Sequence, residues 1–115
     1  MASPPFQFGE KPIEHGSMNV FADLGLPDAV GRQTKTRLAL EINTILKARK
    51  LRQTSAASLL GIPQSKVSAL VNYRLEGFSV ERLMVFLTSL NQDVEIMIRP
   101  SRGEKEGHVS VHALR

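Results

Sequence analysis

The stretch from Gln53 to Leu70, QTSAASLLGIPQSKVSAL, constrains the fold of this chain more than any other. Gly61 ends the first helix of this stretch, because glycine adopts the left-handed backbone conformation at little energetic cost. Ile62 fills the corner, and Pro63 fixes φ at the start of the next helix, where its missing N–H is not needed. The stretch therefore predicts two short helices joined by a tight corner. The predicted apolar side of the first helix consists of Ala56, Ala57, Leu59 and Leu60.

The second of these helices has an apolar side and a polar side. Val67, Leu70 and Val71 recur at spacings of three and four, which places them together on one helix face. The opposite face carries short polar side chains, one lysine and one alanine. These outward residues are Gln64, Ser65, Lys66, Ser68 and Ala69.

The spacing of small residues indicates how the two helices cross. A steep crossing needs a small side chain where the backbones approach, here Ala57, and a glycine at the bend, here Gly61. This is the helix-turn-helix arrangement, in which the second helix enters the major groove of DNA. An ordinary corner between two core helices is the alternative. Such a corner does not usually leave so polar an outer face beside so much positive charge.

Basic residues are concentrated around the two-helix stretch. The net charge of the chain is +4, and no Asp or Glu occurs between Lys47 and Arg74. A one-sided positive field suits a phosphate backbone and makes the affinity sensitive to salt. A solvated basic face without a partner would carry the same charge. The cations of this segment are Lys47, Arg49, Lys50, Arg52, Lys66 and Arg74.

Length and composition exclude several classes of protein. A chain of 115 residues forms one small domain, and the absence of cysteine excludes disulfide scaffolds and thiolate metal sites. No apolar run approaches the ~20 residues of a membrane span, and no secretory signal pattern is present, so we expect a cytoplasmic protein. No nucleophile–base pair, carboxylate pair or phosphate loop can be assembled. We therefore expect neither an enzyme nor a cofactor.

The chain divides into three parts. Residues 1–19 contain many prolines and glycines and predict a flexible N-terminal arm, and residues 101–115 predict a flexible tail. Between them, residues 20–100 form the predicted domain. The segment Val20–Pro27 is predicted to dock apolar side chains onto this domain.

Two further helices flank the central pair. The first is predicted over residues 29–49, with Asp28 as its cap. The second begins after Ser79 as N-cap and ends at Asn91. The buried stripe of the first consists of Leu38, Ile42, Ile45 and Leu46, widened by Ala39 and Leu40. The buried stripe of the second helix consists of Val80, Leu83, Met84, Leu87 and Leu90. Val85 and Phe86 broaden this stripe, and they suit either contact with a partner subunit or filling of the core.

Residues 93–99 change to an alternating pattern. Val94, Ile96 and Ile98 alternate with more polar positions, which predicts a half-buried β-strand that ends at Pro100. A lone strand leaves its backbone groups unpaired, so we expect it to pair with the same strand of a second copy. The predicted dimer interface is Val94, Ile96 and Ile98. A local hairpin with residues 107–112 is the alternative.

His108 and His112 are four residues apart, which is the spacing of two metal ligands on a helix. They flank the β-favouring residues Val109 to Val111, however, and no neighbouring Glu, Asp or Cys completes a site. We therefore expect no metal.

The segment from about Asn19 to Pro100 resembles the Xre/Cro group of helix-turn-helix proteins, and in particular the branch that includes HigA-type antitoxins. The resemblance implies a mainly α, five-helix-type, lambda-repressor-like helix-turn-helix domain, here with one C-terminal β-strand. It rests on VFADLGLPD (20–28), LLGIPQSKVS (59–68), GFSVERLMVFL (77–87) and LNQDVEIMIRP (90–100).

The resemblance also implies which residues contact DNA. Gln53 corresponds to the phosphate-contacting start of the first helix, and Gln64, Ser65 and Ala69 to base-reading positions. Lys66, Ser68 and Asn72 correspond to neighbours that contact backbone or bases, and the position of the loop after the second helix adds Tyr73 and Arg74 as phosphate contacts. The full expected DNA interface is Arg52, Gln53, Gln64, Ser65, Lys66, Ser68, Ala69, Asn72, Tyr73 and Arg74.

The sequence departs from the family pattern at three positions. Arg52 stands where a capping threonine is common, and Asn72-Tyr73 where a glycine commonly follows the second helix. Val71 replaces a frequent glutamate. The first two departures affect the expected phosphate contacts around Arg52 and Tyr73.

Three functions are consistent with these observations. The first is a DNA-binding transcriptional repressor that, by the HigA resemblance, is also the antitoxin of a HigBA-type pair and neutralises a RelE/HigB-like ribonuclease toxin. The second is a stand-alone, phage-type repressor without a toxin partner. The third is a protein-interaction module in which the helix pair is only structural. In the first two, a homodimer would bind a near-palindromic operator in double-stranded DNA.

Overall fold

The computed structural model describes residues 28–103 and 106–114. Within these residues the chain forms four helices, which confirms the mainly helical fold class. The predicted arm at 1–19 and the predicted docking segment Val20–Pro27 lie outside the described residues, and no fifth helix occurs among the residues described. The helices are α1 (Asp28–Ala48), α2 (Gln53–Leu60), α3 (Gln64–Val71) and α4 (Val80–Ser89).

Helix α1 is the scaffold of the fold, and its bounds agree with the predicted 29–49 to within one residue. It packs against α4 and α3 along a stripe in which Leu38, Ile42 and Leu46 are buried. Ala39 is fully buried as well, whereas Leu40 is 40% exposed and lies outside the stripe. The 3.6-residue period of the apolar positions therefore predicted the buried face correctly except at one edge.

Helix α4 covers α1, and its start is fixed by a side-chain cap. The Ser79 hydroxyl oxygen accepts a hydrogen bond from the Arg82 backbone N–H at 3.0 Å, which satisfies a donor that the helix leaves free. Phe86 is only 2% exposed and meets the Phe78 ring edge to face, with 5.9 Å between the ring centroids. Phe86 therefore belongs to the core, while Val85 remains 53% exposed.

Three helices are each followed, two positions after their last residue, by a residue that has positive φ and is not glycine. These residues are Lys50 after α1, Tyr73 after α3 and Asn91 after α4, with φ of 55°, 58° and 66°. Each allows the following N–H to bond back into the last turn, as Leu51 N–H does to the Leu46 carbonyl at 3.1 Å. The compact turns between the helices depend on these left-handed residues.

The predicted C-terminal β-strand is not supported, because no strand occurs among residues 28–103 and 106–114. Residues 93–99 carry the alternating pattern but have no regular secondary structure in the single chain. Alternation indicates which side chains could share a face, whereas a strand exists only when its backbone groups pair with a neighbouring strand. The alternative hairpin with residues 107–112 is not formed either.

The predicted half-buried face of this segment is also absent. Val94 is half-buried against the core, but Ile96 and Ile98 are 70% and 90% exposed. The helical core of a single chain therefore leaves most of the predicted dimer-interface residues uncovered.

Part of the tail rests on the helical body. Val111 is half-buried against the core, and the Arg37 guanidinium donates a hydrogen bond of 3.5 Å to its carbonyl oxygen. His112 contacts the Ser110 hydroxyl at 3.1 Å. Among the described residues, no three His, Cys, Asp or Glu side chains form a group that could hold a metal ion. No helix within residues 28–103 and 106–114 is long and apolar enough to cross a membrane.

Candidate nucleic-acid interface

The corner between α2 and α3 is built from residues that allow a tight turn. Gly61 adopts φ 71° and ψ 34°, and its N–H donates to the Ala57 carbonyl at 2.8 Å. Ile62 is buried beneath the corner, and its N–H bonds to the same carbonyl at 3.1 Å. Pro63 lies at the N-cap of α3 with φ −64°. The sequence-based prediction of two short helices around this corner is confirmed. Gly61 supplies the left-handed residue that the corner needs, and Pro63 holds the φ that suits the start of a helix.

Helix α3 separates buried from exposed side chains along its length. Val67 and Leu70 are completely buried and attach the helix to the core. Gln64, Ser65 and Lys66, in its first turn, are exposed. The helix therefore presents its N-terminal turn to the outside while its apolar side is fixed.

Not every predicted position on the two helices behaves as expected. Ser68 and Ala69 are half-buried rather than fully outward. Val71 and Leu59, which we expected on the buried sides, are 38% and 42% exposed. Helices of eight residues offer only about two turns, so one core contact per turn is enough to fix each of them.

The C-terminal end of α3 is closed by three exposed residues, Asn72, Tyr73 and Arg74. Asn72 Nδ2 donates to the Ser68 carbonyl at 2.9 Å. Tyr73 N–H bonds to the Leu70 carbonyl at 3.1 Å, and Arg74 N–H to the Ala69 carbonyl at 2.8 Å. This is the pattern of a Schellman cap, in which glycine usually occupies the position that Tyr73 holds here. The cap keeps the three side chains next to the last turn of α3.

The N-terminal end of α2 has no side-chain cap. Arg52 occupies the N-cap position with extended backbone, and its side chain makes no capping hydrogen bond. Gln53, the first residue of the helix, is half-buried. Where threonine would cap the helix with its hydroxyl, arginine leaves a free cation at the same place.

Lys66 is exposed, but its ammonium group is held close to the protein. Lys66 Nζ lies 5.4 Å from the centroid of the Phe78 ring, which is a cation–π distance. A Cβ added at Gly77 would lie 3.1 Å from the same nitrogen. The small residue at position 77 therefore leaves room for the lysine beside the ring.

Side chains of scaffold helix α1 and of the turn after it hold the ends of α3 and α4 by hydrogen bonds. Asn43 Nδ2 donates to the Leu70 carbonyl of α3 at 3.2 Å. Arg49 Nη2 donates to the Leu90 carbonyl after α4 at 2.6 Å. Sequence reasoning did not identify Asn43 as a positioning residue, because a single asparagine within a helix carries no sequence signal of its partner 27 residues away.

The basic residues of the segment 47–74 lie on the surface. All six of them are exposed, and no acid interrupts the segment. The Arg49 guanidinium is partly used inside the protein, since it bonds to the Leu90 carbonyl. The exposed cations are Lys47, Arg49, Lys50, Arg52, Lys66 and Arg74. An exposed polar helix turn, in a segment that carries six exposed cations and no acid, is suited to contact a polyanion.

Comparison with known proteins identifies the fold family. The family described as "Helix-turn-helix domain" matches residues 20–99, which is more than half of the chain. A solved structure named as a candidate XRE family transcriptional regulator is 55% identical, with a TM-score of 0.74, over 76% of this chain and 100% of that chain. Comparison with curated protein sequences finds no match. The chain belongs to the XRE-type helix-turn-helix family.

Proposed function

We propose that this member of the XRE-type helix-turn-helix family is a sequence-specific DNA-binding transcriptional repressor. The observation that carries the proposal is the orientation of α3, whose first turn is exposed while Val67 and Leu70 are completely buried. In helix-turn-helix proteins the N-terminal residues of the second helix contact base edges in the major groove. The first turn of α3 supplies Gln64 and Ser65 for this contact.

The side chains of this face limit what can be read. The Gln64 amide carries both a donor and an acceptor, so it suits bidentate pairing with adenine. Ala69 offers a methyl group, which suits the methyl group of thymine. Because Ala69 and Ser68 are half-buried, they contact a base only where the groove floor comes close to the middle of α3. Gln64 and Ser65 are therefore assigned the main reading role.

Residues at both ends of the helix pair are assigned to the phosphate backbone. Arg52 and Gln53 stand at the start of α2, and Asn72, Tyr73 and Arg74 follow α3. Contacts of this kind fix the register of a protein on DNA but carry no sequence information directly.

Lys66 is assigned to the phosphate backbone as well. Its interaction with the Phe78 ring is worth about 0.5–1 kcal/mol at an exposed site, so the flexible side chain can exchange it for a phosphate. Removing this cation would weaken binding to every sequence.

The proposed active form is a homodimer whose interface includes Val94, Ile96 and Ile98. Two copies would place two α3 helices in successive major grooves, ~34 Å apart, on a near-palindromic operator. The exposure of Ile96 and Ile98 in the single chain supports an interface at this place, because large apolar side chains are seldom left uncovered together.

We further propose that the repressor is the antitoxin of a HigBA-type pair. It rests on the resemblance of GFSVERLMVFL (77–87) and LNQDVEIMIRP (90–100) to HigA-type proteins. An antitoxin would bind a RelE/HigB-like toxin and repress their common promoter. Purification from the native host is the test: a small basic protein from an adjacent reading frame would support the proposal, and its absence would leave a stand-alone repressor.

The experiment for DNA binding starts with selection of binding sites from random duplex DNA. We expect two half-sites with centres about one helical turn apart. Gln64→Ala should lose preference at one position in each half-site, by about 1–3 kcal/mol. The matched control is Gln33→Ala, which removes an exposed glutamine of α1 outside the corner and should leave the preference unchanged.

A salt titration then separates phosphate contacts from base contacts. Lys66→Ala should weaken binding to all sequences and reduce the salt slope by about one charge for each protomer. Arg82→Ala is the control, because its cation lies 5.6 Å from the Phe86 ring in a similar arrangement but on α4. Unchanged affinity for both Gln64→Ala and Lys66→Ala would show that α3 is not the recognition helix.

A further inference from the structure

Asn43 is a half-buried residue of α1 whose side-chain hydrogen bonds are incomplete. Its Nδ2 donates to the Leu70 carbonyl at 3.2 Å, but its Oδ1 is buried and has no donor among the residues that the structure describes. A buried acceptor without a partner destabilises a fold, because it has lost its hydrogen bonds to water. The fold therefore retains this amide although half of it is unfavourable for stability.

An apolar side chain would suit the same position better if packing were its only role. Position 43 lies four residues after Ala39 and three before Leu46, both of which are buried, so the three share one side of α1. Leucine has the branched shape of asparagine and no polar side-chain atom to bury. The amide at this position therefore indicates a role other than packing, and its bond to Leu70 is the contact through which it acts.

The Leu70 carbonyl lies at the centre of the turn that closes α3. It accepts the Tyr73 N–H at 3.1 Å as well as the Asn43 amide. Tyr73 has φ 58°, a left-handed conformation that is unfavourable for residues other than glycine and persists only where surrounding contacts hold it. The Asn43 bond is such a contact, and it reaches the turn from a different helix.

A second side chain of α1 holds the far end of the same turn. Lys35 Nζ donates to the Leu75 carbonyl at 3.4 Å, and Lys35 precedes Asn43 by about 12 Å along the α1 axis. The exposed residues 72–74 lie between the two carbonyls in the chain. The turn is thus attached to α1 on both sides of the residues assigned to the phosphate backbone.

We propose that Asn43 is a positioning residue for DNA binding, which acts through the Leu70 carbonyl to fix the turn 72–74 against α1. The inference rests on the proposed repressor function and concerns the phosphate contacts of that function. Val67 and Leu70 anchor α3 by apolar contacts, which are non-directional, whereas a hydrogen bond is directional. The apolar contacts set how deeply α3 is seated, and the Asn43 bond sets how its last turn is oriented.

The effect of this bond is expected on the phosphate side of the interface. Gln64 and Ser65 lie in the first turn of α3, whereas Leu70 lies in the last, about 9 Å from Gln64 along the helix axis. Loss of the Asn43 bond should therefore disturb the turn 72–74 more than the residues that read bases. The predicted signature is weaker binding to all sequences with an unchanged base preference.

The first test measures binding to two duplexes, one that the wild-type chain selects and one of unrelated sequence. Asn43→Leu should weaken binding to both by about tenfold, the effect of losing one well-placed hydrogen bond or charge contact, and should reduce the salt slope by about one charge for each protomer. Asn43→Gln keeps a donor amide and should retain most of the affinity. Thr44→Leu is the matched control, because Thr44 is exposed and its hydroxyl bonds within α1 to the Leu40 carbonyl at 2.7 Å.

Thermal unfolding of the same variants separates positioning from stability. Asn43→Leu should have a Tm equal to or above that of the wild type, because the unpaired Oδ1 is removed and apolar surface is added. A loss of DNA affinity in a chain at least as stable as the wild type cannot come from unfolding. Parallel losses of Tm and affinity would assign Asn43 to stability alone and refute the proposal.

Amide hydrogen exchange of the free chain tests the contact between Asn43 and the turn without DNA. In Asn43→Leu, the Tyr73 and Arg74 N–H groups should exchange about tenfold faster than in the wild type, because the turn opens more readily. The Gly61 N–H, which bonds to the Ala57 carbonyl at the corner between α2 and α3, should exchange at an unchanged rate. Equal exchange of residues 73 and 74 in both chains would show that Asn43 does not hold the turn.

The DNA measurements also separate this inference from the repressor proposal. A wild-type chain that selects no duplex would overturn the repressor proposal and, with it, the role of Asn43 in DNA binding, whatever the exchange rates. A wild-type chain that selects a duplex, together with an Asn43→Leu chain of equal affinity, would overturn the role of Asn43 alone.

Discussion

Tyr73 occupies a backbone conformation that favours glycine, and this predicts an unusual pair of substitutions. Its φ is 58°, in the left-handed region, where a side chain costs about 1–2 kcal/mol. Tyr73→Ala and Tyr73→Gly both remove the aromatic ring, so their difference isolates the backbone contribution. Glycine loses about 0.5–1 kcal/mol more chain entropy than alanine on folding. Tyr73→Gly should therefore be more stable than Tyr73→Ala by about 0.5–1 kcal/mol.

The measurement is urea unfolding of both variants, followed by thermal unfolding. A difference of 1 kcal/mol corresponds to about 4–8 °C in Tm for a domain of this size. Position 71 provides the control, because Val71 is exposed and helical, so that Val71→Gly should be less stable than Val71→Ala. If glycine is the less stable substitution at both positions, the left-handed conformation of residue 73 and the Schellman cap of α3 would be refuted.

Two further substitutions test the packing around the helix pair. Ser79→Ala removes the hydroxyl that accepts the Arg82 N–H and should destabilise the fold by about 1 kcal/mol in urea unfolding, whereas Ser79→Thr should retain most of the stability. Leu70→Ala opens a cavity beneath α3 and should cost about 2–5 kcal/mol in the same assay, while Val71→Ala, at the exposed neighbouring position, should cost much less. Equal losses at positions 70 and 71 would contradict the assigned orientation of α3.

The helical part of the fold could be predicted from local sequence signals. Gly61 and Pro63 mark the corner because each has a backbone property that other residues lack. The apolar period of α1 and the cap at Ser79 act over a few residues and can be recognised without knowledge of the neighbours. These signals determined the bounds of the helices to within one or two residues.

Features that depend on distant contacts could not be predicted in this way. Phe86 suited either a partner or the core, and its burial and its edge-to-face contact with Phe78 show that it belongs to the core. The strand over 93–99 required a neighbouring strand that the single chain does not provide. Asn43 was overlooked because its role depends on the Leu70 carbonyl of another helix. In each case the decisive partner lies outside the helix or segment that carries the sequence signal.

For the expected DNA-contacting residues, the sequence indicated which side chains are exposed but not which of them bind DNA. The structure confirms that the first turn of α3 and the residues at 72–74 are exposed, as the two-helix pattern indicated. Their roles in binding remain predictions, because exposure permits a contact but does not select a ligand. Ser68 and Ala69 are half-buried, so their contribution depends on how closely α3 approaches the bases.

Site-directed cross-linking to DNA tests most directly whether α3 enters the major groove. The absence of cysteine allows Ser65→Cys to carry a single thiol on the exposed turn of α3, and Thr88→Cys places one on the exposed surface of α4 as a control. The selected binding site would carry a thiol-tethered base whose tether projects into the major groove. We predict a disulfide with Ser65→Cys and none with Thr88→Cys. Cross-linking of Thr88→Cys but not of Ser65→Cys would contradict the recognition role of α3.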